Sequence, residues 1–197
     1  MTGQVPDPVE VAVVERCGWA TSAPEYVRYH DEEWGVPLHG DDALFERVTL
    51  EAFQSGLSWI TILRKRPAFR AAFAGFSIPA VAAFTDDDVE RLMADAAIVR
   101  NRAKVTAAVR NARAALDLPE GLSALLWSFA PTAGRPRPET LADVPATSPE
   151  SVALAKELKR RGFSFVGPTT SYALMQATGM VDDHVATCFR AGATHPD

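Results

Sequence analysis

The sequence predicts an all-α fold, and three observations carry that expectation. Apolar residues recur at helical spacing in most of the chain, capping signatures stand directly before several of those stripes, and alternating strand-like patterns are scarce. A length of 197 residues, 47% hydrophobic and 23% charged, is enough to bury one core. The organisation expected is one domain of two helical lobes over residues 14–190, a disordered extension at 1–13 and a flexible tail at 191–197.

The segment SWITIL at 58–63 is short enough for a strand, but the apolar stretch it follows reads better as helix. Thr85 and Asp88 form a capping box ahead of Val89, Leu92 and Met93, spaced as one buried helix face. Residues 98–116 place Ile98, Val105, Val109, Ala112 and Leu116 on one stripe, with Arg100, Lys104, Arg110 and Arg113 largely off it. Ser148, Pro149 and Glu150 open a further helix that Gly162 closes, because Pro suits a first turn and Gly the left-handed exit. The prolines and glycine of PTAGRPRPET, 131–140, bar regular structure. No internal repeat is found.

No apolar run of about 18 residues is present to span a bilayer, and the acidic MTGQVPDPVEVAVVER is neither anchor nor secretory signal. The expected compartment is the cytoplasm. A bond between the only two cysteines, Cys17 and Cys188, would be reduced there, which leaves metal binding, reactivity or burial as their roles.

The net charge of −5 speaks against a polyanionic partner only as an average. Residues 1–50 hold three Lys/Arg against ten Asp/Glu, a net of −7, so the remainder carries +2. Positive charge is bunched there in RKRPAFR (64–70), VRNRAKVTAAVRNARAA (99–115) and KELKRR (156–161). Phosphates are neutralised locally, so such clusters suit a DNA-facing surface, although each cluster alone also fits a solvated helix face.

GFSFVG, 162–167, followed by Pro168 and a second helical pattern that stops at Gly179, has the layout of a helix-hairpin-helix element. Its glycines allow close backbone approach, and the free N–H groups opening the second helix suit a phosphate. Gly162, Phe163, Gly167 and Thr169 are its candidate DNA contacts. The same spacing equally fits a tight hairpin whose Phe163, Phe165 and Val166 fill core.

If 180–188 is helical, His184 and Cys188 of VDDHVATC share one face and could both reach one ion. Cys17 and His30 would complete a tetrahedral set for zinc with no position open to water, hence a structural ion joining the N- and C-terminal regions. On spacing alone, buried thiols and satisfied core histidines explain the four residues more simply.

Around Glu51, in the apolar frame TLEAF, crowd Trp19, Tyr26, Tyr29, Trp34 and Trp59, three of them among the chain's four tryptophans. Through RCGW, YxxYHDxEWGVP, LFExxxLExFQxGLSWxTILxKR, KxLKxRGFxFVGPTxxYxxMQAxG and VxDHxxxC, the chain from about Arg16 to Cys188 resembles the 3-methyladenine DNA glycosylase I family. The resemblance implies an all-helical fold of the helix-hairpin-helix glycosylase superfamily and a structural zinc held by Cys17, His30, His184 and Cys188. It also implies an aromatic pocket for an extruded base, with Glu51 hydrogen-bonding that base and Tyr29 and Trp59 stacking or packing around it. Trp19, Tyr26 and Trp34 match other aromatics of that site, and the catalytic aspartate that most of the superfamily places after the hairpin is absent from the family.

The chemistry supports the same expectation from the residues upward. A base inside a duplex must be flipped out to be cleaved, and a methylated, poorly stacked base is the cheaper one to extrude. N3-methylation makes the adenine cationic and a good leaving group; a box of Trp and Tyr favours a cationic ring, and a carboxylate can accept from an amino group on its edge. No second carboxylate of the glycosidase type is evident, and no lysine stands out as a Schiff-base nucleophile, so hydrolysis without strand cleavage is expected. Gln54, Ser55, Gly56 and Leu57 are candidates to fill the gap left by the base, with Leu57 equally suited to the core. Ala52 and Phe53 fall where the pocket floor is expected, and His39 and His195 have no assigned role and are expected to be exposed. The partner expected is double-stranded DNA with alkylated bases, bound by a monomer. Two rivals remain at this point: a zinc hydrolase or deaminase, for which no HExxH arrangement is present, and a DNA-binding module without catalysis.

Overall fold

The computed structural model describes residues 14–133 and 135–192, so the expectations for 1–13, for 193–197 and for His195 lie outside the described residues. Among the described residues the fold is all-helical, with no strand. The helices are α1 (Pro24–Glu32), α2 (Asp41–Gln54), α3 (Trp59–Ala72), α4 (Ile78–Ala82), α5 (Asp86–Ala94), α6 (Arg102–Leu116), α7 (Leu122–Trp127), α8 (Pro149–Arg160) and α9 (Pro168–Ala177).

Helix α2 is the axis of the molecule. Every residue from Leu44 to Phe53 is buried, because α3, α6, α7 and α9 pack around it. Its own N-terminus is used as an anchor for others. Asp42 accepts from the Ile78 N–H and Asp41 from the Ser123 N–H, filling donors that the first turns of α4 and α7 cannot satisfy internally. Phe53, Phe69, Phe73 and Phe76 form a continuous aromatic stack in the main core.

The capping box at Thr85 and Asp88 is formed, and α8 opens at Ser148 with Pro149 in its first turn and leaves through Gly162 at φ +95°. SWITIL is helical from Trp59 onward, and 131–140 carries no regular element among its described residues. The helix expected over 98–116 starts only at Arg102, because the Asn101 side chain accepts from the Lys104 N–H and fixes the N-cap there. Leu116, expected on the buried stripe, is 54% exposed, while its neighbour Ala115 takes the buried position in that turn. Lys104, expected off the stripe, is buried, and its ammonium donates to the Phe53 and Ser55 carbonyls at the end of α2.

Helices α8 and α9 pack against one another through the 162–167 hairpin. The hairpin is clasped from α6: the buried Asn111 amide donates to the Ser164 carbonyl and accepts from the Ser164 N–H. Phe163 and Val166 are buried, whereas Phe165 stands 40% exposed at φ +57°, so only two of the three apolar hairpin residues fill core.

Candidate functional site

A cavity of about 560 Å³ opens between α1, α2, the start of α3 and α9. All five aromatics singled out in the sequence line it, with Glu51, Gln54, Gln176 and Asp183. Trp19 comes from the short 3-10 turn Gly18–Thr21, while α1 supplies Tyr26 and Tyr29, three residues apart on one face. Trp19 meets Tyr26 edge-on at 5.8 Å between centroids and Trp34 at 5.2 Å, and Tyr29 meets Trp59 at 5.5 Å. The Tyr26 hydroxyl accepts from the Ile60 N–H, filling a first-turn donor of α3 for which Ser58 provides no side-chain cap. That bond fixes Trp59 relative to Tyr26. Leu141 and Val144 add apolar surface to the lining.

Glu51 projects from the buried centre of α2 and is 5% exposed. None of the described residues donates a hydrogen bond to it. Burial pushes its carboxyl up to about 8, with only the Arg47 charge pulling the other way. Burial therefore favours the acid form, and a cation brought beside it would favour the carboxylate. Burial also raises the Tyr29 hydroxyl, which stays protonated.

Asp183 was not singled out by sequence reasoning, and its place in the cavity wall qualifies the expectation that no second carboxylate is at hand. Its Oδ2 accepts from the Tyr172 hydroxyl and from Gln176 Nε2, and Arg135 lies beside it at 3.9 Å. Tyr172, Gln176 and Asp183 each stand as fixed letters in the motifs that carry the resemblance, but that they meet is not legible there, because they and Arg135 come from three separate segments. Ala52 and Phe53, in the segment that bears on the shape of the pocket floor, are both buried, Phe53 within the main core.

Beyond Gln54, residues 55–58 form an exposed turn. Gly56 takes φ +80° and Leu57 is 40% exposed, so the alternative that Leu57 fills core is overturned. In the α8–α9 hairpin, Gly162 and Thr169 are exposed and a Cβ on Gly167 would meet nothing within 4 Å. The first turn of α9 carries no acid. Phe163 is 3% exposed and corrects one expectation: its ring belongs to the core, leaving only its backbone for an outside partner.

Cys17, His30, His184 and Cys188 converge with their ligand atoms all within 4.8 Å of one another, every residue buried. Cys188 Sγ lies 3.4 Å from His30 Nε2 and 3.5 Å from His184 Nδ1, and Cys17 Sγ lies 3.6 Å from His184 Nδ1. A tetrahedron with metal–sulfur bonds of ~2.3 Å and metal–nitrogen bonds of ~2.0 Å has sulfur–nitrogen edges of ~3.5 Å, so the donor set fits a zinc-sized ion. His30 is oriented by Asp31, which accepts at Nδ1 and is itself held by Arg16. Burial lowers His184 to about 4, keeping its ring in the neutral form that can ligate.

The route by which these ligands meet differs from the expected helix. Residues 180–188 are irregular, and His184 and Cys188 are brought together by a turn in which the Cys188 N–H bonds the Val185 carbonyl. Two glycines make the chain crossing possible. A Cβ on Gly179, at φ +73°, would sit 2.6 Å from Pro37 N, and one on Gly35, at φ +78°, would sit 2.8 Å from His184 Nε2. Trp34 joins the two centres: it stacks on His30, meets His184 edge-on at 4.6 Å, and also lines the cavity. His39, as expected, is exposed, and it stacks on Trp127.

The Methyladenine glycosylase family profile matches residues 19–191. DNA-3-methyladenine glycosylase 1 of Escherichia coli (strain K12) is 47% identical over 179 residues, covering 89% of this chain and 96% of the relative. The DNA-3-methyladenine glycosylase of Haemophilus influenzae (strain ATCC 51907 / DSM 11121 / KW20 / Rd) is 42% identical over 88% of this chain and 96% of its own length. Among solved structures, 3-methyladenine DNA glycosylase I from Staphylococcus aureus superposes with a TM-score of 0.86 at 35% identity, over 91% of this chain and 98% of that one. A variant of 3-methyladenine DNA glycosylase I in complex with 3-methyladenine gives 0.86 at 34%, over 91% and 99%.

Proposed function

The chain belongs to the methyladenine glycosylase family, and on that premise we propose that this enzyme hydrolyses the N-glycosidic bond of alkylated bases in double-stranded DNA, chiefly 3-methyladenine. The observation that carries the reading is a buried carboxyl, Glu51, to which none of the described residues donates a hydrogen bond, in the wall of a cavity ringed by Trp19, Tyr26, Tyr29, Trp34 and Trp59. Such an enclosure discriminates by charge. Indole and phenol faces attract a cationic purine and give a neutral adenine only its stacking, while the cation offsets the burial that keeps Glu51 protonated. Recognition is thereby coupled to ionisation of Glu51, which then accepts from an amino group on the base edge.

The base reaches the cavity by leaving the duplex, at least cost when methylation has weakened its stacking. In the chemical step the bond between the sugar C1′ and the base nitrogen breaks, its electron pair neutralising the cationic base. Water adds to C1′ and gives up a proton, leaving an abasic site with the strand intact. The cationic leaving group removes the need for a strong general acid, so positioning and charge complementarity supply most of the rate. Gln54 at the end of α2 and the exposed turn of Ser55, Gly56 and Leu57 fill the vacated stack, Leu57 offering an apolar wedge. Gly162, Gly167 and Thr169 set the hairpin and the start of α9 against a phosphate of the backbone.

Cys17, His30, His184 and Cys188 would hold a structural zinc, which supplies a cross-link between the chain ends rather than a reactive site, since four protein ligands leave no position for substrate. By keeping His30 and His184 in place, this cluster also supports Trp34 and, through α1, Tyr29. The reading takes the enzyme to be a cytoplasmic monomer; among the described residues no helix is long and apolar enough to cross a membrane.

The test is base release from methylated DNA by the parent, Glu51→Gln and Trp59→Ala. Each substitution is expected to lower kcat/KM at least tenfold, in line with loss of one charge-assisted contact or one stacking face worth about 1.5–3 kcal/mol. Equal excision by all three proteins would remove the proposed pocket.

A further inference from the structure

Helix α2 carries a second buried charge that the reading above leaves unused. Arg47 stands one turn before Glu51, so both side chains leave the same face of the helix, and both are 5% exposed. Arg47 Nη2 donates to Glu33, while Nη1 is buried without a hydrogen-bond partner among the described residues. The guanidinium carbon lies 5.4 Å from the centre of the Tyr29 ring, which forms part of the cavity wall. A buried guanidinium nitrogen and a carboxyl to which none of the described residues donates thus sit one helical turn apart, the first shut away from water and the second facing the cavity.

The surrounding ion pairs give that juxtaposition a direction. Glu33 is shared by Arg47 and Arg66, and Glu46 by Arg66 and Arg70, so three guanidinium groups face two carboxylates. Ionised Glu51 would be the third. The other groups facing this region are Tyr26 and Tyr29 from α1, Lys104 from α6 at the end of α2, and Asp183 across the cavity. Lys104 is engaged by two carbonyls, and Asp183 by Tyr172 and Gln176.

We propose that Arg47 is the positioning residue of the base-reading site: braced by Glu33 and Tyr29, its guanidinium is the standing counter-charge that lets Glu51 exist as a carboxylate inside the cavity. The inference rests on the reading of Glu51 as the group that meets the base. Its consequence is that Arg47 sets the pH range over which the cavity can select a cationic ring. It agrees with the Arg47 charge being the one influence that opposes burial at Glu51.

The experiment follows Glu51 directly by carbon NMR of carboxyl-labelled glutamate, assigned with Glu51→Gln, in the parent, Arg47→Met and Arg47→Lys. Base release from methylated DNA is measured over the same pH range. Arg47→Met is expected to move both the Glu51 midpoint and the acid limb of kcat/KM upward by about one pH unit, a loss of about tenfold in rate at pH 7. Arg47→Lys, which keeps the charge, should restore most of that shift. In the unmutated protein the Arg47 side-chain nitrogen signals should titrate with the Glu51 midpoint and cease to do so in Glu51→Gln, a readout independent of whether Arg47→Met folds. Nitrogen signals that do not follow Glu51, or a Glu51 midpoint unmoved in folded Arg47→Met, would overturn the pairing. A shifted midpoint with an unshifted excision profile would keep the pairing and overturn the role of Glu51 in reading the base.

Discussion

Replacing Glu51 by Gln should stabilise the protein while disabling it, and the gain should depend on pH. Unfolded, this carboxyl titrates near 4.5; folded, burial holds it up to about 8. A group whose folded value is raised contributes stability that is complete below the unfolded value and is lost as pH rises towards the folded one. The window here runs from 4.5 to 8. At about 1.4 kcal/mol per unit, the parent should lose roughly 3 kcal/mol between pH 5.5 and 8 through this one group, a loss the amide cannot suffer. Other titrations are common to both proteins and cancel in the difference. In thermal melts of a chain of this size that difference corresponds to roughly 10 °C, so the Tm advantage of Glu51→Gln should widen by about that amount across the interval and level off above pH 8. A constant Tm difference would mean that Glu51 ionises normally in the folded protein, and the charge-selective cavity would lose its physical basis.

Two further outcomes are expected. Cys188→Ser should abolish stoichiometric zinc on metal analysis and lower stability by several kcal/mol, with quenching of Trp34 fluorescence by solvent increasing as the wall shared with the cavity loosens; unchanged zinc content would remove the proposed ligand set. Asn111→Ala breaks two hydrogen bonds to Ser164, so it should cost about 1–3 kcal/mol in urea unfolding and weaken affinity for undamaged duplex, while binding of free 3-methyladenine stays intact.

The features legible in the sequence share one property: they are encoded within a few residues of one another. The capping box opening α5, the Ser148-Pro149 start of α8, the prolines of 131–140 and the glycine exits at 162 and 179 are local, so their reading needed no knowledge of neighbours. The five cavity aromatics and Glu51 were legible because they crowd into one stretch, 19–59, which α1 and the ends of α2 and α3 fold back upon itself. The four sulfur and nitrogen ligands were nameable through the resemblance, whereas the expected helix bringing His184 to Cys188 was not what forms there.

What the tertiary structure alone decided concerns polar groups that pair across distance. Periodicity says which face of a helix is apolar, but not which charge an adjoining helix will swallow, and so Lys104 inside and Leu116 outside were both misjudged. Asp183 entered the cavity wall, and Arg47 came to share Glu33 with Arg66, only because α9, α1 and α3 cross beside α2. Hydrophobic pattern is a property of each segment by itself, whereas the partner of a buried charge, and with it the ionisation of Glu51, depends on where separate segments cross.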